Sequence, residues 1–223
     1  MDIALAVFPE LTALDILGPY QVLTRLPGAT VRFVSAQRGQ VRDDLGLVAF
    51  PVEHTYDDVT APDVVVVPGG TITRRMAKHG DPIVPWIRAV HPTTTYTTSV
   101  CTGSLLLGAA GILTGLDATS HWAALEPLEE YGARPTLQRV VEQGKIITAA
   151  GVSSGIDMAL VLAARLAGDA AAQGIQLGIE YDPQPPFDAG SPEKAPPVVV
   201  AAVRARIGRR IEEMAVSSPP ASA

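Results

Sequence analysis

Four consecutive valines, Val64-Val65-Val66-Val67, stand between Asp63 and the turn sequence Pro68-Gly69-Gly70. Successive side chains of a strand point to opposite faces, so this β-branched run is apolar on both and belongs at the centre of a sheet covered on each side. A sheet buried on both faces is a parallel one wrapped by helices. The rest of the chain repeats the alternation such a sheet needs. Strands are predicted over residues 3–8, 31–36, 95–100 and 145–149, the last forming a hairpin with 139–142 around Gln143-Gly144. Amphipathic or apolar helices are predicted over 20–26, 82–90, 103–111, 122–131, 153–166, 170–179 and 198–214, and 41–51 reads as a hairpin or excursion. The expected class is α/β, a mostly parallel sheet with helices on both faces, whose ligands bind beyond the carboxyl ends of the strands.

Composition narrows the functional classes. With 223 residues, 47% hydrophobic and 18% charged, the chain can bury a real core. A single domain over 1–214 and a disordered tail over 215–223 are expected. A net charge of −6 supplies no basic field for nucleic acid or anionic lipid. The single cysteine excludes an intramolecular disulfide framework and most cysteine-based metal sites, and it fits a reducing compartment. No apolar run approaches the roughly 20 residues of a membrane-spanning helix. The start, Met1-Asp2-Ile3-Ala4, is acidic where a secretion signal is basic, so a cytoplasmic location is expected. Residues 182–197 carry six prolines in sixteen positions. Such a segment is either a rigid connector to the last helix or a lid or dimer contact.

The lone cysteine sits where chemistry is expected. The strand 95–100 runs into Gly103-Ser104-Leu105-Leu106-Leu107 with no room for a loop, so Cys101 occupies a sharp strand-to-helix turn at the carboxyl edge of the sheet. Ser99-Val100-Cys101-Thr102-Gly103 has the small-x-nucleophile-x-Gly form of a nucleophile elbow. The helix N-terminus behind it is expected to lower the thiol pKa. Two glycines in Pro68-Gly69-Gly70 allow backbone N–H groups to face a ligand as an oxyanion hole does. Asp15, in Leu14-Asp15-Ile16-Leu17-Gly18-Pro19, is either a helix N-cap or a carboxylate with a raised pKa that exchanges protons with substrate. His121 is a candidate base, its alternative being a helix-start or core histidine. The four histidines show no metal-ligand spacing, and no metal is expected. Gly151-Val152-Ser153-Ser154-Gly155 lacks the pattern of a phosphate-binding loop and reads as a second backbone wall of the pocket.

Thr98-Ser99-Val100-Cys101-Thr102-Gly103-Ser104-Leu105, Pro68-Gly69-Gly70 and Leu14-Asp15-Ile16-Leu17-Gly18-Pro19 together resemble the ThiJ/PfpI (class I glutamine amidotransferase-like) superfamily. Within it, Asp15 beside the Cys101-Thr102 pair and the proline-rich run from Glu180 to Pro192 resemble the isocyanide (isonitrile) hydratases. The resemblance implies a flavodoxin-like sandwich and a homodimer that works without cofactors. It also implies addition of water to an isocyanide, R–N≡C, to give an N-substituted formamide. It makes Cys101 the nucleophile on the terminal carbon and Asp15 the acid/base, with Thr102 against both. Gly70 and Val152 become backbone contacts to substrate. The chain departs from the family at Ala150, where a glycine is familiar, and at Val152, where an isoleucine is.

Three other readings compete. A glyoxalase- or deglycase-like enzyme or an amidohydrolase of the same superfamily is one, although Thr102 stands where a Cys-His pair would place histidine. The segments around Asp15 and Cys101 also resemble the sensor half of AraC-type transcription regulators. The helix-turn-helix module of those proteins is not expected in the stretch after Glu180. The third is a redox sensor or chaperone built on oxidation of Cys101.

Overall fold

The computed structural model describes residues 1–216, with side chains described as far as Met214. Within Met1–Tyr181 a seven-stranded sheet is built from β1 (Asp2–Ala6), β2 (Thr30–Ser35), β5 (His54–Thr55), β6 (Val64–Val67), β7 (Tyr96–Val100), β10 (Val140–Gln143) and β11 (Ile146–Ala149). Their spatial order is β10-β11-β7-β6-β1-β2-β5. Every pairing is parallel except the β10–β11 hairpin at one edge. The remaining strands form two small pairs, the antiparallel β3 (Gly39–Arg42) with β4 (Ala49–Val52), and β8 (Asp117–Ala118) with β9 (Arg134–Pro135). The excursion expected over 41–51 is thus a hairpin.

The valine run lies where its composition requires, with all four residues of β6 fully buried between β1 and β7. Burial of each valine side chain is worth roughly 1.5–3 kcal/mol. Helices α1 (Ala13–Leu23), α6 (Ser154–Ala167) and α7 (Asp169–Gly178) pack together as one layer. A second layer is formed by α2 (Thr73–His79), α3 (Ile83–Val90) and α4 (Gly103–Ala109), with α5 (Leu125–Glu129) against α4. The layers allow close approach through glycines: a Cβ on Gly18 would lie 3.0 Å from Ile156 Cγ1, and one on Gly155 3.1 Å from the Val100 methyls.

The helix after β1 is longer than predicted. It begins at Ala13 rather than residue 20 and carries Pro19 inside it. Gly18-Pro19 reads as a breaker in sequence, and the buried packing of Ile16, Gly18, Pro19, Val22 and Leu23 outweighs that local preference. The stretch predicted as a helix over 122–131 is a 3-10 turn, Trp122–Ala124, followed by the short α5.

From Asp182 onward the chain forms a second compact unit. It holds the proline-rich segment, pinned within itself by the Lys194–Asp188 ion pair at 2.8 Å, and the twenty-residue α8 (Pro197–Val216). Helix α8 thus runs two residues into the tail expected over 215–223, and the rest of that tail lies outside the described residues.

Candidate active site

The order of the sheet decides where a site can form. The chain winds from β1 outward to β2 and β5, then returns to place β6 on the other side of β1. Helices leaving neighbouring strands at such a reversal diverge and open a crevice at the carboxyl edge. Asp15 lies just past β1, Gly69 and Gly70 just past β6, and Cys101 just past β7.

Cys101 holds φ 57°, the left-handed region, although it carries a side chain. Such a residue costs about 1–2 kcal/mol and persists only where its surroundings over-determine it. Here they do so through four hydrogen bonds and one close backbone approach. Its N–H is shared between Ala149 O at 3.0 Å and Ala150 O at 2.9 Å. Its carbonyl accepts from Ser104 Oγ at 3.2 Å and Ser120 Oγ at 3.1 Å. Gly103 next to it passes so close to β6 that a Cβ there would sit 2.2 Å from Val67 O. The cysteine is 6% exposed.

Asp15 is not the helix cap. The N-cap of α1 is Thr12, and Asp15 is the third helical residue, fully buried. Its Oδ2 accepts from Gly69 N–H at 2.8 Å, while its Oδ1 has no hydrogen-bond partner among the described residues. Burial, reinforced by the negative charge of Asp44, raises its pKa from 3.8 to about 7, against the lowering pull of Gly69 N–H and of Cys101. The thiol is pushed the other way from expectation. Burial first, and then the Asp15 charge, hold Cys101 well above the ordinary thiol value, although the Thr102 backbone and hydroxyl pull it down. The expected low-pKa thiolate is therefore overturned: a seven-residue helix behind the sulfur does not offset desolvation beside a carboxylate.

The glycine turn also differs from the oxyanion-hole reading. Gly69 N–H goes to Asp15, and Gly70 N–H goes to Thr102 Oγ1 at 2.9 Å. The Gly70 carbonyl accepts from Thr102 Oγ1 at 2.9 Å and from Thr73 Oγ1 at 2.8 Å. Gly70 is therefore committed to protein partners rather than offered to substrate. Gly69 is small for a direct reason: a Cβ would meet Thr102 N at 2.6 Å, Thr102 Oγ1 at 2.7 Å and Asp15 Oδ2 at 2.8 Å. One backbone position thus brings Asp15 and Thr102 together.

His121 caps the 3-10 turn, accepting from Ala123 N–H at 3.2 Å through Nδ1. Its ring edge lies against Gly151, where a Cβ would stand 3.0 Å from Cδ2. Burial, and then the charge of Arg74, lower its pKa. Val152 is half-buried in the turn before α6, and its carbonyl accepts from Gly155 N–H at 3.4 Å. Sequence reasoning passes over Ser120 and Arg74. Ser120 fixes the Cys101 carbonyl, and Arg74 reaches from α2 to donate to Ala123 O at 2.8 Å. Nothing in their local sequence marks either residue, since each acts across the chain. Among the described residues, no group of three or more His, Cys, Asp or Glu could hold a metal ion. No helix among them is long and apolar enough to cross a membrane.

A cysteine held in left-handed backbone at a strand-to-helix elbow, with a buried carboxyl from the first helix against it, defines a recognisable class of α/β protein. The chain belongs to the DJ-1/PfpI family, whose model matches residues 1–165. It is 43% identical over 206 residues to the isonitrile hydratase of Pseudomonas putida, covering 92% of this chain and 90% of that one. It is 34% identical over 104 residues to the HTH-type transcriptional regulator CdhR of Pseudomonas aeruginosa, covering 46% of this chain and 29% of the regulator. Among solved structures, a ThiJ/PfpI family protein from Pseudomonas syringae superposes with a TM-score of 0.89 at 37% identity, covering 95% of this chain and 87% of that one. Schizosaccharomyces pombe DJ-1 shares the fold, with a TM-score of 0.70 at 18% identity over 82% of this chain and all of its own length. The mostly parallel sheet with helices about it, expected as flavodoxin-like, is the architecture of this family.

Proposed function

We propose that the chain is an isocyanide hydratase in which Cys101 and Asp15 pass one proton between sulfur and substrate carbon. The single observation that carries this reading is the fully buried Asp15, one oxygen fixed by Gly69 and the other without a partner among the described residues, beside a thiol that needs a base. The extended likeness to an isonitrile hydratase supports the same substrate class. At 6% exposure the cysteine is reached by a slender group, and the linear terminus of R–N≡C is one.

The steps follow from the pair. Ionised Asp15 takes the thiol proton as the sulfur attacks the terminal isocyanide carbon, forming the C–S bond. The same proton then passes to that carbon, giving the thioimidate S–CH=N–R with Asp15 again ionised. Asp15 next draws a proton from water as its oxygen adds to the thioimidate carbon, and that proton moves to nitrogen. Expulsion of the sulfur, which recovers the remaining O–H proton of the added water through Asp15, leaves R–NH–CHO. In sum one water is added and nothing is oxidised or reduced. No amine leaves, so the reaction does not need the histidine of a triad. Thr102 lowers the thiol pKa and so favours the charged sulfur during attack.

The same reading takes the working protein as a cytoplasmic homodimer of one domain, 1–214, without cofactor, nucleic-acid or membrane partner. The test is mass spectrometry of reduced protein mixed with an alkyl or aryl isocyanide, following small molecules and intact chain together. The N-formyl product with a transient adduct on Cys101 is expected. Absence of both, from protein whose thiol is shown to be free, sinks the hydratase reading.

A further inference from the structure

Arg74 is unlike the arginines that form ion pairs in this molecule. Most of the arginines that make ion pairs do so on the surface, whereas Arg74 is half-buried and has no carboxylate within ion-pair distance among the described residues. Among the described residues its one hydrogen bond runs from Nη2 to Ala123 O at 2.8 Å. That leaves most of the donors of a guanidinium unused in a partly dry setting, where charged hydrogen bonds are worth most. The segment it reaches is also the wall of the site: Ser120 holds the Cys101 carbonyl, and His121 packs on Gly151. The helix that carries it starts at Thr73, whose hydroxyl holds the Gly70 carbonyl.

The charge balance around the sulfur decides what Arg74 can serve. Arg74 feels the charges of Cys101 and Glu130, while burial lowers its own pKa. Burial, and then the charge of Asp15, raise the thiol pKa, which disfavours a resting thiolate that would neutralise the guanidinium. Glu130 is exposed and forms no ion pair with it.

We propose that Arg74 is a specificity-determining residue that receives a carboxylate on the carbon chain of the substrate, so that the preferred substrates are isocyanides bearing an anionic group. The inference rests on the hydratase reading, and it names a substrate class within it. Turnover of 3-isocyanopropanoate and 5-isocyanopentanoate is compared with that of their neutral methyl esters. For at least one carboxylate, kcat/KM exceeds that of its ester by roughly ten- to hundredfold, the size of a charge-assisted hydrogen bond. In Arg74→Met that ratio collapses towards one, and Arg74→Lys keeps part of it. A wild-type ratio of one, or an equal fall for acid and ester in Arg74→Met, overturns the proposal and leaves Arg74 a strut for the Ala123 turn. Protection of Cys101 against iodoacetamide by butanoate, set against butyramide, reads the subsite without turnover. Selective protection by butanoate that disappears in Arg74→Met supports the anion subsite even where no isocyanide is hydrated, and equal protection by both overturns it.

Discussion

Two neighbouring strands, β6 and β7, end side by side at the same edge of the sheet, and their turns are built on opposite plans. After β7 the side chain is what matters: Cys101 is forced into left-handed backbone, and its own N–H and carbonyl are tied to Ala149, Ala150, Ser104 and Ser120. After β6 the backbone is what matters: Gly69 and Gly70 have no side chains, and their N–H groups hold Asp15 and Thr102 in place. One turn presents the thiol, and the other holds the carboxyl and the hydroxyl that the proposed mechanism sets beside it. A site assembled this way needs no polar side chain from the β6 turn, which is why a run as bland as Pro68-Gly69-Gly70 can be decisive.

Removing the reactive atom gives the largest effect. Cys101→Ala is expected to abolish isocyanide hydration while leaving the fold intact, since Asp15 alone forms no thioimidate; intact-mass and product assays check both. Asp15→Asn comes next, with a fall in kcat/KM of roughly 10²–10⁴-fold, the usual weight of a general acid/base. In the wild type, kcat/KM should rise with pH and level off above about 7, as Asp15 ionises.

The same substitution has a stability signature of opposite sign. The Asp15 pKa is raised on folding, so its contribution to stability is full below about 4 and is lost as pH climbs through about 7. Asp15→Asn should therefore be more stable than wild type at pH 8, by up to on the order of 4 kcal/mol, with the advantage vanishing below pH 4. Denaturant titrations at the two pH values measure it; an equal shift at both would show that the carboxyl is not desolvated.

The glycine turn is probed by adding atoms to it. Gly69→Ala puts a methyl 2.6 Å from Thr102 N and 2.8 Å from Asp15 Oδ2, and the backbone atom has nowhere to retreat. Destabilisation of about 1–3 kcal/mol is expected, with a roughly 10²-fold loss of activity as Asp15 is displaced. Gly69→Ala with wild-type kinetics would break the division of labour between the two turns. The smallest effect belongs to Thr102→Val, which leaves the buried Gly70 N–H without its acceptor. It should cost about 1–3 kcal/mol in thermal or chemical denaturation and lower turnover about tenfold.

The two turns differ as much in legibility as in construction. The valines of β6 and the absence of any loop between Val100 and Gly103 announce the central strands and the elbow, because both are statements about adjacent residues. The use of the β6 turn is not local. Gly69 meets Asp15 across 54 positions and Gly70 meets Thr102 across 32, so no neighbouring residue records that their N–H groups are taken. The reading of Asp15 as a cap fails for a similar reason, since Gly18-Pro19 suggests that the helix starts later than Ala13 and only packing against α6 shows otherwise. The direction of the Cys101 pKa could not be read from the helix behind it, because a dipole is a sequence-local feature and burial beside Asp15 is a property of the folded crevice.

The fully buried carboxyl of Asp15 also bears on where the product's hydrogen atoms come from. In the proposed mechanism a proton that leaves sulfur for Asp15 and then joins carbon does not pass through bulk water, so that mechanism makes the formyl C–H of the product the former S–H. Protein equilibrated in heavy water and mixed rapidly with excess ordinary water and substrate would deliver deuterium to the formyl carbon on its first turnover. Later turnovers, fed by solvent through the hydrolytic half of the cycle, would deliver protium. On that mechanism the site would keep an isotopic record of one catalytic cycle.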